Sequence, residues 1–247
     1  MSLLRGHDER ALRKWPTLLL SADPGPDRLL AAVRLYNPKA RAKTDEIIVY
    51  GHIVLHGPVA VTPDLTRHAG LPDGMAAAYY AGVMDQKDAT QRNESGKLVR
   101  GLAVRLGGTV HPADLVSNLR LLLSVYAEND LPAEQIVSLL RPWAAGLAVR
   151  DPNDNGYVLA CHGAAFFVSY FAPDLFGTVD EPRALGEPGQ RKLHHWDLIG
   201  YGTAVEAPAE TVERIGEAAL ALARAVSGVA IDMHGFQFSR AQELAGH

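Results

Sequence analysis

Apolar positions along the chain follow two periods. Short apolar or β-branched runs mark strands, and stripes at i, i+3, i+4 and i+7 mark helices. Leu18-Leu19-Leu20-Ser21 recurs as Leu121-Leu122-Leu123-Ser124, and both read as buried strands. Each leads through a turn into a proline-led helix, at Pro26 and at Pro132. Proline suits a first helical turn because its missing N–H has no partner there. Leu29, Ala32, Val33 and Tyr36 make one helical stripe, and Ile136, Leu139, Leu140 and Trp143 make its counterpart.

The segments that follow also match. Ile47 to Gly57 ends in His56-Gly57 and is followed by Val59-Ala60-Val61 and Pro63-Asp64-Leu65. Tyr157 to Gly163 ends in His162-Gly163 and is followed by Phe166-Phe167-Val168 and Pro173-Asp174-Leu175. The last helical stripes are Val99, Leu102, Ala103, Leu106 and Ala219, Leu222, Ala223, Val226. They keep one constant offset, with Gly108 and Gly228 placed to cap the helix ends. Each half reads strand, helix, strand, strand, an extra extended piece, helix, strand. The expected fold is α+β: a tandem duplication of a ferredoxin-like βαββαβ unit, with antiparallel sheets and helices packed on one face. The expected repeats are 15–112 and 118–238, linked by Pro112 to Ser117. One long Gly/Pro-rich loop, 176–191, breaks the symmetry, and loops of that length are commonly functional.

Composition refines this picture. The 247 residues are 47% hydrophobic and 21% charged, enough for two small domains without disulfide or metal staples. The single cysteine, Cys161, excludes an intramolecular disulfide and suits a reducing compartment. Met1 to Lys14 is charged, without the apolar core of a signal peptide. No apolar run reaches the roughly 18 residues that span a bilayer. The expectation is a soluble, cytoplasmic protein without a membrane partner. A net charge of −4 argues against a nucleic-acid partner. That sum conceals a basic first half and an acidic second half.

The candidate chemistry lies in the histidines. His52 and His56 are four apart, and on a strand that is about 13 Å, too far for one metal. His56 and His162 fall at matched positions, each before a glycine. After the long loop comes Lys192-Leu193-His194-His195-Trp196-Asp197. On a strand His195 and Asp197 share a face, as a histidine oriented by a carboxylate requires, while His194 and Trp196 face the other way. Asp232 and His234 likewise share a face. The candidate catalytic set is His162, His195, Asp197 and His234. Cys161 and His162 point apart on a strand, so that pair is no thiol–imidazole couple.

No glycine-rich loop opens a helix, so no phosphate cradle and no cofactor is expected. His56-Gly57-Pro58 and His162-Gly163-Ala164 lack the hydroxyl residue of the 2H phosphoesterase motif. The layout resembles tandem ferredoxin-like RNA-processing proteins of CRISPR systems, but the acidic balance and the missing C-terminal glycine-rich loop do not fit. The leading expectation is a non-catalytic binding or interaction module for a protein partner or a small-molecule ligand. Its surface is expected between the halves or on loop 176–191. The alternatives are a hydrolase-type enzyme using the His/Asp set, and a metal-binding protein.

Overall fold

A computed structural model of the protein describes residues 9–112, 120–153, 156–160, 165–173, 182–185, 192–203 and 207–244. The chain divides near residue 117 into two compact units. The fold is α+β, and each unit is built on a six-stranded antiparallel sheet.

In the first unit the chain runs through β1 (Thr17–Leu20), α1 (Pro26–Tyr36), β2 (Arg41–Lys43), β3 (Glu46–Tyr50), β4 (Ile53–Ala60), α2 (Pro63–Ala69), β5 (Ala77–Val83), α3 (Ala89–Leu106) and β6 (Thr109–His111). The sheet order is β2-β3-β4-β5-β1-β6. The expected stripe of α1 is buried: Leu29, Ala32, Val33 and Tyr36. Helix α3 starts where the Asp88 carboxylate accepts the backbone N–H groups of Thr90 and Gln91. It packs on β1, β5 and β6. The opposite sheet face is covered too. Residues 9–14 are helical, and Ala11 and Leu12 join Leu19, Ala78 and Tyr80 in a second core cluster that also takes in Ala69 at the end of α2.

The second unit comprises β7 (Arg120–Ala127), α4 (Ala133–Leu140), β8 (Ala148–Asn153), β9 (Gly156–Ala160), β10 (Phe166–Phe171), β11 (His194–Thr203), α5 (Ala209–Ala225) and β12 (Val229–Ile231). The order is β12-β7-β11-β10-β9-β8. Leu121, Leu123 and Val125 of β7 and Trp196 and Leu198 of β11 turn toward α4 and α5 and build one core. Alternation on the strands leaves Ser124, Tyr126, His195 and Asp197 on the other face.

The strand order runs the same way in both sheets when each is read from its last strand: β6-β1-β5-β4 and β12-β7-β11-β10. The register, however, differs from that of the repeated tetrapeptide. Gly108 lies so close to β1 that a Cβ would come 2.6 Å from the Leu19 carbonyl oxygen, and a Cβ on Gly228 would come 2.4 Å from that of Tyr126. The matched residues are therefore Leu19 and Tyr126, and Thr17 and Ser124, four positions away from the peptide identity. The same glycines do not occupy the left-handed cap positions. Gly107 (φ 68°) and Ser227 (φ 53°) do.

Three segments differ locally from expectation. Pro63-Asp64-Leu65 opens α2 instead of extending, because the Thr62 hydroxyl accepts the Leu65 N–H and Pro63 fits the first turn. The break between the two strands falls at Gly51-His52 rather than after Gly57: β3 and β4 form a hairpin, with a bulge at Gly57-Pro58 inside β4. Helix α4 ends at Leu140, so Trp143 lies beyond it, where its indole N–H donates to Glu217 at 3.0 Å. The linker 113–119 and loop 176–191, apart from 182–185, lie outside the described residues.

Candidate functional site

The bulge in β4 organises the first candidate site. A Cβ on Gly57 (φ 134°) would meet the Tyr79 ring at 2.7 Å and the Ala78 carbonyl oxygen at 2.8 Å, so this position requires glycine. The bulge re-aims the strand next to His56, a common device beside binding sites. The His56 ring stacks on Tyr80, with centroids 4.9 Å apart. Its Nδ1 lies 3.6 Å from Glu46 Oε2. The ring sits over Gly82, where a Cβ would come 3.3 Å from Nε2. Two hollows on this sheet face, of about 400 Å³ and about 770 Å³, share His56 and Tyr80 in their walls.

The hollows differ in chemistry. The smaller lies beside helical residues 9–14 and is walled by Trp15, Val54, Val83 and Met84, with Arg10 and Lys14 among its lining. Arg10 and Lys14 are four apart and share a helix face. The larger lies toward α2 and is lined by Glu9, Asp45, Asp64 and Thr62. His52, at the edge of the smaller hollow, has Nε2 3.0 Å from Glu94 Oε2, and the Tyr50 hydroxyl donates to the same oxygen at 2.5 Å. A carboxylate only accepts, so His52 carries its proton on Nε2. Burial, with Tyr36 and Glu94 beside it, drives the Tyr50 phenol far above its ordinary range, so it remains a donor.

The second unit concentrates its chemistry on β7 and β11. His195 Nε2 lies 2.6 Å from Asp197 Oδ1, and the Ser124 hydroxyl donates to that same oxygen at 2.6 Å. The imidazole is packed between aromatic rings: Tyr126 stacks on it at 4.3 Å, and Phe171 lies at 5.5 Å. On the reverse face Trp196 is fully buried, and His194 Nδ1 is 2.7 Å from the Tyr170 hydroxyl. Burial and the neighbouring Asp130 push the Tyr170 phenol up to about 12.

The structure thus brings His195 and Asp197 together. It adds Ser124, which a local reading missed because β7 lies far away in sequence. The hydroxyl bonds the carboxylate rather than the imidazole, so the three are not a nucleophile–base–carboxylate relay. β11 is an interior strand between β7 and β10, not an edge. His234 belongs to the buried turn after β12, where Asp232 Oδ1 accepts the N–H groups of His234 and Phe236. His162 and Cys161 lie outside the described residues. The ladder position that answers to His56 in the second unit is Ser169, which pairs with Asp197 as His56 pairs with Tyr80.

Among the described residues, no group of three or more His, Cys, Asp or Glu side chains is placed to hold a metal ion. No described helix is long and apolar enough to cross a membrane. No protein-family model matches the chain, and no curated protein or solved structure is significantly similar to it.

Proposed function

We propose that the protein is a small-molecule-binding module built on a duplicated ferredoxin-like scaffold, with its ligand site on the sheet face of the first unit. One observation carries the site: two adjoining hollows share His56 and Tyr80, beside a bulge that demands glycine. Ligand sites are concave, largely apolar and furnished with a few aimed polar groups, and their volumes run from about 300 to 1,000 Å³. The matching strand orders and the paired glycine approaches at Gly108 and Gly228 support the duplication. In the second unit the corresponding face spends its polar groups on one another.

A screen of small acids, alcohols and amines by ligand-observed NMR on the whole protein tests this reading. Binding is expected in wild type and lost in Gly82→Val, whose side chain projects beneath His56 into the smaller hollow. Hits that bind Gly82→Val as well as wild type place the site elsewhere.

One observation favours a second reading. His195 held by Asp197 is the arrangement a general base requires, and as a hydrolase-type base it would activate water. Hydrolysis of 4-nitrophenyl acetate that disappears in His195→Ala supports it; equal rates in both proteins remove it.

A further inference from the structure

We infer that the ligand of the first-unit cleft is an amphipathic carboxylate: an apolar body in the smaller hollow and an anionic head at Arg10 and Lys14. The inference rests on the reading of that cleft as a ligand site and goes on to name the class of ligand.

The walls set the body of the ligand. Trp15, Val54, Val83 and Met84 are apolar, and no Cβ stands at Gly82. Met84 is 78% exposed and lines the smaller hollow. A ligand chain that covers Met84 and Trp15 removes apolar area from water, which is the main favourable contribution available in this cleft.

The charges set the head. Arg10 and Lys14 lie on one helix face along the smaller hollow, and the Lys14 ammonium sits 4.8 Å from the centre of the Trp15 ring. The head group therefore lies next to the apolar wall rather than remote from it. The carboxylates nearest the histidines are already engaged: Glu94 accepts from Tyr50 and His52, and Glu46 faces His56 and Lys43. The larger hollow carries Glu9, Asp45 and Asp64, with Glu9 paired to Arg13 and Asp64 to Arg67. An anionic head is drawn to the Arg10 side, so the electrostatics orient the ligand as well as attract it. No covalent step is involved.

The test uses three probes of equal chain length, octanoate, octanol and octylamine, titrated into the whole ¹⁵N-labelled protein. The Trp15 indole signal is assigned with Trp15→Phe. Octanoate is expected to bind tightest, shifting the Trp15 indole and the Val54 and Gly82 amides. Arg10→Gln with Lys14→Gln is expected to weaken octanoate about tenfold, the worth of one lost charge-assisted contact, and to leave octanol unchanged. Both side chains lie on the surface helix, so the variant retains the fold. If octanol or octylamine matches octanoate, or the double variant binds octanoate unchanged, the ligand class is wrong while the cleft stands. If none of the three shifts first-unit signals, the cleft itself is wrong and the inference falls with it.

Discussion

The two sheets present the same strand order with opposite treatment of one face. In the first unit Thr17, Tyr80 and His56 occupy one ladder row, and in the second unit Ser124, Asp197 and Ser169 occupy the corresponding row. The Thr17 hydroxyl turns away to the Trp15 carbonyl at 2.9 Å, and residues 9–14 and α2 close over an apolar patch. Ser124 instead joins His195 on the Asp197 carboxylate. Two sheets with the same strand order thus need not carry the same chemistry. Apolar cover leaves hollows on the first-unit face, whereas in the second unit Ser124, His195 and Asp197 bond one another.

The strongest way to break this comparison is to remove the cover. Leu12 is fully buried against Leu19 and Tyr80, and Leu12→Ala is expected to cost about 3 kcal/mol through lost burial and a residual cavity. Hydrogen exchange should accelerate at β1 and β5 and stay unchanged at β7 and β11; a uniform loss contradicts separate packing of the first-unit face.

The register equivalence comes next. Gly108→Ala and Gly228→Ala each push a Cβ into a facing carbonyl oxygen, and each is expected to cost about 2 kcal/mol. Urea unfolding checks both. A neutral outcome at either position contradicts the paired approach of Leu19 and Tyr126.

The polar row of the second unit is sharpened by a double-mutant cycle. Ser124→Ala and His195→Ala share the Asp197 oxygen, so their coupling is expected at about 1 kcal/mol. Additive losses show that the row is not one network. At Ser227, whose φ of 53° burdens a residue with a Cβ, Ser227→Gly is expected to stabilise by about 0.5 kcal/mol in thermal unfolding. A loss shows that the serine side chain contributes more than the backbone relief.

A pH-dependent effect is common to both units. Tyr50, Tyr79, Tyr157 and Tyr170 have phenols raised first by burial. The folded state therefore holds these protons at a pH where the unfolded chain has released them. Their contribution is complete below the ordinary phenol range near pH 10 and is lost as pH rises above it. The urea midpoint is expected to fall between about pH 9 and 11, and Tyr50→Phe is expected to flatten that fall. An unchanged slope removes Tyr50 from the account.

Much of the element order was legible because stripes such as Leu29 to Tyr36 report burial directly, and all four of those residues are buried. The register was not. Leu18–Ser21 and Leu121–Ser124 are identical peptides, yet backbone approach at two glycines, not side-chain identity, sets which rows correspond. The His195–Asp197 proximity follows from strand alternation alone, whereas Ser124 depends on a long-range pairing. The cleft around His56 was missed for a similar reason. Glu46, Tyr80 and residues 9–14 converge only after the sheet forms, although Gly57-Pro58 inside an apolar strand was a readable sign of a bulge.

A chemical-shift map of octanoate on the whole protein locates the ligand site most directly. The shifts are expected to centre on Trp15, Val54, His56, Tyr80 and Gly82. Shifts centred instead on Tyr126, His195 and Asp197, with His56 unmoved, would contradict that site.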